Sequence, residues 1–553
     1  MENNKTTALK RYLHVGIILI VCIFSFFVNN QVIPADLMEA RNLATAQEMV
    51  GFGNYLLPTL NGDLRLEKPP LPTWIAAGIE QLIPGNLVVQ RYAAGVSATL
   101  MVIFLYLLVT RHTGNRRTGM IVSLILATSV NVILMGRTAS WDIYAQSFMA
   151  MAIYFLFVAL EEKGAQWCYF LLSGLCMGLS FLSKGPVAMY ALLLPFLISY
   201  IIVYRTGITD KKWTIAAMIL VTLAVSFWWY GYTYLYNQHT VVEVVQKESS
   251  SWINYNVRPW YYYWTFAAEG GIWTLFWITA IRYFFVNKQT IYQKEFTFSF
   301  LWFLASLVLL SLIPEKKTRY LLPLLIPGAM LIGLYIYQMM EAMKTKSEKV
   351  IFRINSLVIA VILFALPFAL YVFFYRANQV SLLIQIIATA GSWGICAYIL
   401  WSLFGSKDIR PVSIFIGFIL SMMLITSVYL IPIGSMFLNE DRKSIRLLRD
   451  RKDVAGLPFY YNDREELRME LVYEANRRIL KMNPEDETAV KAALPFVFIS
   501  SESIEKVLSN NNVMIEHIGT FDNNWRKKSD KRHNPALLNE VAIIREIIKS
   551  ENE

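Results

Sequence analysis

The chain has 553 residues, of which 56% are hydrophobic and only 16% are charged, and its formal net charge is +11. This composition excludes an ordinary soluble globular protein and predicts a polytopic membrane protein. In such a protein, cytoplasmic loops and anionic lipid headgroups explain a basic excess, so the charge does not indicate a nucleic-acid partner. The four cysteines lie in apolar runs without a CxxC pair, which argues against a zinc ribbon or a disulfide framework.

Long apolar runs recur through the first part of the chain. A membrane-crossing helix needs about 20 mostly apolar residues. Runs of this kind begin near residues 12, 88, 118, 143, 166, 185, 213, 268, 297, 320, 353, 381 and 411, which predicts about thirteen spans. With a cytoplasmic N-terminus, every inner loop is short and basic, as the positive-inside bias requires. An odd number of spans then places the end of the chain on the outer side.

Three polar segments interrupt this pattern and predict the domain organisation. We expect a transmembrane domain over residues 1–432, with outer-face loops at 29–86 and 238–271. The tail, residues 433–553, is charged, with strand-like LPFYYN and PFVFIS and helix-like ELRMELVYEANRRILKM. A further short helix is expected over residues 503–508. The tail therefore predicts a small soluble α/β domain, large enough to hold its own core.

The stretch after the first span begins with an acidic segment. Residues 36–50 carry apolar side chains at helical spacing, which predicts an amphipathic helix on the membrane surface. Asp36 and Glu39 are three residues apart and would share a face, placing two carboxylates together near the bilayer. The alternative is a solvated first turn whose acids complement the helix dipole.

The same stretch continues with Glu67-Lys68-Pro69-Pro70. The two prolines fix the backbone and remove two donors, so the charged pair before them is held in an extended presentation. Lys68 is then suited to a point-charge contact with a phosphate. The alternative is a surface ion pair that precedes a helix.

Ionisable residues also lie at the ends of later spans. Asp142 begins a span after the GR turn, where it either caps the helix or belongs to a site. Lys184 in SKGP either snorkels or contacts a phosphate. Lys316, Arg319 and Tyr320 lie in EKKTRYLLP, on the outer side, where the positive-inside bias does not demand cations. An anionic ligand such as a lipid phosphate would account for this cluster.

The order of these motifs resembles a known family. An acidic helix, NYLLPTLNG, EKPPLPTW, an aspartate after a GR turn, SKGP and RYLLP follow one another over nearly the whole chain. This order resembles the GT-C class of polyprenyl-phosphate-dependent glycosyltransferases. Within the class it is similar to the bacterial lipid A aminoarabinose transferases and their protein O-mannosyltransferase relatives. EKPP with its flanking LNG and Trp is the more specific part, whereas SKGP and RYLLP alone are weak.

The resemblance implies an enzyme that moves a sugar from undecaprenyl phosphate to a cell-envelope acceptor. It implies a multi-pass protein of the cell inner membrane whose site and C-terminal domain face the periplasm. Lipid A is the expected acceptor and a protein is the alternative. A transporter for lipid-linked sugars is the alternative from another class.

The resemblance also assigns residues on the donor side. Glu67 and Lys68 match the family's Glu-Lys-Pro, with the lysine on the carrier phosphate, and Asp142 matches its second acidic position. Tyr320 with Lys316 matches a phosphate-facing pair. Lys68, Lys184, Arg319 and Tyr320 are the side chains suited to stabilise charge on the departing phosphate.

The acceptor side departs from the family pattern. Glu39 and Arg41 fall on the family's Glu and Arg, but Met38 stands where its Asp is expected. Either Asp36 or Glu39 then takes the proton from an acceptor hydroxyl. The family also places a histidine and the EKPP glutamate at a metal. Here His239 is nearest but not at the matching spacing, so a divalent metal at Glu67 is left open and no cofactor is assigned.

Overall fold

The computed structural model describes residues 2–205, 209–287, 289–436 and 438–547. Residues 548–553 of the predicted C-terminal domain lie outside the described ranges. The helices, in chain order, are α1 Glu2–Phe26, α2 Leu37–Phe52, α3 Leu71–Leu82, α4 Leu87–Thr113, α5 Arg116–Ala127, α6 Val130–Gly136, α7 Trp141–Glu161, α8 Trp167–Lys184, α9 Leu194–Tyr204, α10 Lys212–Tyr236, α11 Gln238–Asn254, α12 Phe266–Glu269, α13 Thr274–Val286, α14 Gln293–Leu312, α15 Leu322–Ala342, α16 Lys346–Leu370, α17 Leu382–Phe404, α18 Pro411–Leu424, α19 Leu430–Met436, α20 Met469–Ala475, α21 Glu487–Ala493 and α22 Ile504–Val507. The strands are β1 Thr59–Leu60, β2 Asp63–Leu64, β3 Phe459–Asn462, β4 Ile479–Met482, β5 Phe496–Ser500, β6 Val513–Asp522 and β7 Leu538–Glu546.

The prediction of a polytopic helical membrane protein is confirmed. Within the described residues, nine helices are long and apolar enough to cross a membrane, and a tenth span is obtained if the bent pair α5–α6 counts as one. The other three predicted runs become shorter apolar helices, Tyr12–Phe26, Met189–Tyr204 and Gly271–Val286. Every predicted run is therefore helical, but the structure supports nine or ten candidate spans. The count of thirteen stays a prediction, because the three remaining helices fall below the length that spans a bilayer unaided.

The chain divides into two compact units that do not follow the predicted loop boundary. The first comprises residues 1–30, 66–72 and 88–432, and the second comprises residues 31–65, 73–87 and 433–553. Most of the segment expected as an outer-face loop of the membrane domain, residues 29–86, thus groups with the C-terminal part of the chain. Sequence patterning did not indicate this, because the two parts are about 370 residues apart and a long-range contact leaves no local period.

In the first unit, two buried arginines close the end of α1. The Arg137 guanidinium donates to the carbonyls of Phe24, Ser25 and Val28 and to the side chain of Asn30. Arg91 donates to the backbone carbonyl of Asn30 at 2.6 Å. The last carbonyls of a helix have no partner within it and carry partial negative charge, so cations stabilise them. The GR turn before α7 is therefore a helix cap for α1.

In the second unit, the C-terminal part forms a five-stranded mixed sheet of order β4-β3-β5-β7-β6. β3 pairs in parallel with β4 and β5, whereas β7 pairs antiparallel with β5 and β6. The core includes Phe496, Phe498, Val490 and Ile544, each with no exposed surface. The predicted strands LPFYYN and PFVFIS are confirmed as β3 and β5, and the expected helix near 503–508 is confirmed as α22.

The predicted helix over ELRMELVYEANRRILKM is wrong in its second half. α20 ends at Ala475, and Asn476 adopts the left-handed conformation that commonly terminates a helix. The residues after it form β4, which pairs with β3 in register from Phe459–Ile479 to Asn462–Met482. Pairing with β3 stabilises the strand more than local helix propensity stabilises a continued helix.

α2 confirms that residues 36–50 form a helix, but the helix does not lie on a membrane surface as expected, because it is largely buried and packs against α20 within the second unit. Ala40, Leu43 and Met49 of α2 are buried. Beside it, Arg478 forms an ion pair with Glu48 at 3.2 Å. Asn61 exchanges two hydrogen bonds with the backbone of Ile479, at 2.8 and 2.7 Å. These contacts, rather than patterning, make residues 31–65 part of this unit.

Candidate functional site

The first unit contains a buried ion pair between two span ends. Asp142 lies in the first turn of α7 and Lys184 is the last residue of α8. The Lys184 ammonium donates to the Asp142 carboxylate, and the two side chains are only 9% and 6% exposed. Gly185, at φ 77°, ends α8 directly after the lysine, in a conformation that favours glycine. A pair taken out of water in this way is costly unless well satisfied, so its retention points to a role.

Tyr320 lies beside this pair. The Lys184 ammonium lies 4.5 Å from the centre of the Tyr320 ring. The Tyr320 hydroxyl lies 3.3 Å from the Glu315 carboxylate, which also accepts from Lys317 at 2.5 Å. Lys68 and Arg319 lie close enough for their charges to act on both Asp142 and Lys184. Tyr320 therefore lies in a cluster that holds four cationic side chains and two buried carboxylates, those of Asp142 and Glu315.

The EKPP segment meets α11 through two reciprocal ion pairs. The Lys68 ammonium contacts both oxygens of the Glu248 carboxylate, at 3.0 and 3.1 Å. The Glu67 carboxylate lies 3.6 Å from the Lys247 ammonium. The adjacent, oppositely charged residues Glu67 and Lys68 thus face a second such pair, Lys247 and Glu248. The predicted loop at 238–271 is in its first half this helix, none of whose described residues is buried.

Lys316 faces a different set of groups. Its ammonium donates to the backbone carbonyls of Arg258 and Ile313, at 3.2 and 2.5 Å. The Lys316 backbone amide donates to the Asn256 carbonyl, and the Asn256 side chain donates to the Lys316 carbonyl. The neighbouring residues Val257 and Glu315 form an antiparallel β-bridge. Burial lowers the pKa of the Lys316 ammonium. Lys317, not Lys316, is the lysine that accompanies Tyr320, and a phosphate role for Lys316 stays a prediction.

Asp36, Glu39 and Arg41 lie in the second unit. Asp36 is exposed and caps α2, because its carboxylate accepts from the Glu39 backbone amide at 2.8 Å. Glu39 is buried within the first turn of α2, and Arg41 is half-buried. The capping contact agrees with the alternative prediction for Asp36, an acid in the solvated first turn that complements the helix dipole. Which of the two acids serves as a base stays a prediction.

The residues considered for a metal are engaged elsewhere. His239 is exposed and lies 3.5 Å from Glu243, whereas Glu67 faces Lys247. Across the described parts of the chain, no three His, Cys, Asp or Glu side chains are grouped so that they could hold an ion. The residues present do not fit the metal site that the resemblance suggested.

Sequence reasoning identified the loops but not every partner within them. Glu248 and Glu315 each bind a lysine of the cluster, and neither was singled out. The available signal was charge: each precedes or follows a lysine on a segment expected at the membrane boundary. Pairing between residues 180 positions apart could not be read from the sequence.

The arrangement is suited to an anionic ligand that carries a good leaving group. Three of the four cations, Lys184, Lys68 and Lys317, each form an ion pair with one carboxylate. A phosphate that enters can accept hydrogen bonds from these ammonium groups in place of the carboxylates. Cations fixed where charge develops on a leaving phosphate lower the barrier to its departure.

Comparison with known proteins finds similarity to transferases whose sugar donor is a lipid phosphate. Residues 67–230, which contain Lys68, Asp142 and Lys184, match the family model described as dolichyl-phosphate-mannose-protein mannosyltransferase. The structure superposes on ArnT from Cupriavidus metallidurans in the apo state, with a TM-score of 0.70 over 97% of this chain and 98% of that one, at 16% identity. The structure of the same protein bound to undecaprenyl phosphate matches with a TM-score of 0.69.

Curated relatives are distant. An uncharacterised protein of Aquifex aeolicus is 25% identical over 59% of this chain and 64% of its own length. The undecaprenyl phosphate-alpha-4-amino-4-deoxy-L-arabinose arabinosyl transferase of Aeromonas hydrophila is 23% identical over 68% of both chains. The enzyme of that name from Shewanella sediminis is 25% identical over 69% of this chain and 71% of its own.

The fold is that of a polytopic helical membrane protein and is similar to the fold of ArnT. In sequence, the chain is similar to glycosyltransferases that use a lipid-phosphate sugar donor. The resemblance predicted from the order of motifs is thereby confirmed.

Proposed function

We propose that the protein transfers a sugar from undecaprenyl phosphate to a cell-envelope acceptor, lipid A. The observation that carries the proposal is the buried Asp142–Lys184 pair with Tyr320 beside it, within reach of the charges of Lys68 and Arg319. This cluster supplies cations for a lipid-linked phosphate at the ends of apolar helices, where such a headgroup lies.

The reaction we propose is a displacement at the anomeric carbon of the sugar. The bond between this carbon and the phosphate oxygen breaks, and a bond to the acceptor oxygen forms. The electron pair of the broken bond stays on the phosphate, whose added charge Lys184, Lys68 and Arg319 stabilise. Lys68 first exchanges the half-exposed Glu248 carboxylate for the phosphate, whereas Asp142 stays paired with Lys184 and positions its ammonium group.

The acceptor decides whether a base is needed. A hydroxyl acceptor gives its proton to Asp36 or Glu39. A lipid A phosphate is already ionised and attacks without one, which accounts for Met38 at the position of the family's aspartate. We therefore favour the phosphate acceptor.

The names of the relatives support 4-amino-4-deoxy-L-arabinose as the sugar. The name of the family model supports a second candidate, in which a protein hydroxyl accepts a mannose. In both cases we place the site and the second unit on the outer face of the inner membrane, as the distribution of basic loops predicts.

The test is transfer by the purified full chain, followed by mass spectrometry of the products. Undecaprenyl-phosphate-linked aminoarabinose with lipid A should give a lipid A carrying the added pentose. Asp142→Asn should reduce the rate at least about a hundredfold, as expected when a group that positions charge at the reacting phosphate is lost. Asp408→Asn, at an exposed carboxylate that pairs with Lys349, is the matched control and should keep full activity.

Two outcomes would overturn the proposal. Labelled protein with unmodified lipid A would favour the protein acceptor. Movement of the lipid-linked sugar across liposomes without any covalent product would favour a transporter.

A further inference from the structure

The second unit carries a basic loop next to the point where the chain leaves its last span. This basic loop, residues 525–533, has the sequence WRKKSDKRH, with five lysines and arginines and a single aspartate. The last candidate span ends at Ser435. Leu438, three residues on, bridges to Arg526, and the Asn439 amide donates to the Trp525 carbonyl at 2.8 Å.

Chain connectivity limits how far the basic loop lies from the membrane. Three residues span at most about 11 Å, so Leu438 and the strand partner Arg526 lie close to the end of the span. The polar headgroup region is itself roughly 5–8 Å thick on each side of the hydrocarbon core. The base of the basic loop, at Arg526, thus lies near the headgroup region, within reach of its charges.

The basic loop is an ordered structure with a closed base. Asn524 donates to the Asn534 carbonyl at 2.9 Å, and the Asn534 amide donates back to the Asn524 side chain at 2.8 Å. Within the loop, Asp530 accepts from Arg526 at 2.8 Å and from the Arg532 backbone amide at 2.9 Å. These bonds hold the pKa of Asp530 below its usual range. Asp530, the only acidic residue of the basic loop, therefore makes these contacts within the loop.

The cations that remain face outward. Lys528 and Lys531 are exposed and form no ion pair with any residue in the described ranges. Trp525 is half-buried and stacks with the Arg526 guanidinium at 3.9 Å from its ring centre. Tryptophan beside clustered basic residues is typical of a membrane–water interface. Basic side chains close to a bilayer are attracted by anionic headgroups.

We propose that the basic loop is an interaction surface for the phosphate groups of anionic phospholipids in the leaflet from which the last span emerges. Lys528 and Lys531 make the contact, and the asparagine pair and Asp530 hold the loop in shape. The surface anchors the second unit to the bilayer.

The test compares hydrogen exchange of the full chain in two kinds of nanodisc. Amides of residues 525–533 should exchange more slowly in discs containing phosphatidylglycerol than in discs of phosphatidylcholine alone. A lysine near an anionic surface changes the contact equilibrium by roughly fivefold. Lys528→Gln/Lys531→Gln should therefore remove most of the difference, and high salt should weaken it in the wild type. Both side chains are exposed, so the variant should fold.

The matched control is Lys491→Gln/Lys506→Gln, which removes two exposed lysines from α21 and α22 of the same unit. This variant should keep the lipid dependence. Equal exchange in the two kinds of disc would overturn the proposal. Slower exchange only on adding a soluble polyanion to phosphatidylcholine discs would also overturn it, and would identify the partner as a polymer rather than the bilayer.

Discussion

At the residue scale, the buried pair of Asp142 and Lys184 is held together by mutual compensation of charge. Each side chain satisfies the other in a place where little water reaches, so removing one leaves a charge without compensation. We infer a structural role and a chemical role for the pair, and mutations can separate the two.

Lys184→Met should destabilise the protein by about 3–5 kcal/mol, because Asp142 is left buried and unpaired. Adding Asp142→Asn should restore much of the stability but none of the sugar transfer. Thermal unfolding in detergent and the transfer assay measure the two effects. Lys349→Met, at an exposed pair, should change stability by less than about 1 kcal/mol. Transfer by the double variant at the wild-type rate would contradict the assignment.

Lys316 and Lys317 are neighbours with different surroundings, so their variants should behave differently. Lys316→Met removes two hydrogen bonds to carbonyls and should lower the melting temperature, with faster exchange at residues 252–258. Lys317→Gln removes a cation beside Tyr320 and should raise the KM for the lipid-linked donor with little change in melting temperature. The reverse pattern would support the sequence-based choice of Lys316.

At the scale of elements, α11 meets the EKPP segment through charge. Its described residues are all partly or fully exposed, and Lys247 and Glu248 form ion pairs with Glu67 and Lys68. Partly exposed pairs of this kind contribute little stability, which makes them easy to exchange for a ligand.

Glu248→Gln should tighten the binding of undecaprenyl phosphate by between about 1.5-fold and fivefold, since it removes a carboxylate that competes with the phosphate for Lys68. Native mass spectrometry of the full chain with titrated lipid measures this. Glu243→Gln, on the same helix but paired with His239, serves as the control and should leave the affinity unchanged. Weaker binding by Glu248→Gln would mean that the carboxylate positions Lys68 rather than competing for it.

The end of α1 depends on the shape of a guanidinium group. Arg137→Lys keeps the charge but cannot reach three carbonyls and Asn30 at once. The loss should be at least about 2 kcal/mol, since hydrogen bonds from charged donors are among the stronger ones. A lower melting temperature in detergent is the expected result. An unchanged value would show that these bonds are replaced by water.

At the scale of the whole molecule, the second unit is assembled from distant parts of the chain. α2 is buried against α20, and Glu48 and Asn61 contact Arg478 and Ile479. The unit is therefore a single fold with a discontinuous sequence. A chain cut between the membrane helices and the tail would lose part of the core around α2.

A chain that ends at residue 432 should leave α2 unprotected. Its buried side chains, such as Leu43 and Met49, would lose α20, so hydrogen exchange over residues 37–52 should approach that of an unfolded segment. Exchange in α7 should stay slow in the same sample and serves as the internal control. Continued protection of α2 would show that another surface covers it.

Much of this architecture could be predicted locally. Apolar runs, helical spacing and proline pairs act over a few residues, and all thirteen predicted runs, α2 and the strands β3 and β5 are helices or strands as expected. Two other features could not be predicted locally. β4 is a strand because it pairs with β3, and residues 31–65 belong to the second unit because of side-chain contacts. Neither kind of contact depends on the local sequence pattern.

By itself, the sequence determined that the protein is a polytopic membrane protein, because apolar runs are a local property of the chain. Its short motifs also singled out Lys68, Asp142, Lys184 and Tyr320 as candidate site residues. Only the tertiary structure decided the partners: Glu248 for Lys68, Glu315 and Lys317 for Tyr320, and backbone carbonyls for Lys316. Ion pairs form between side chains that the fold brings within about 4 Å, and no spacing along the chain specifies that distance.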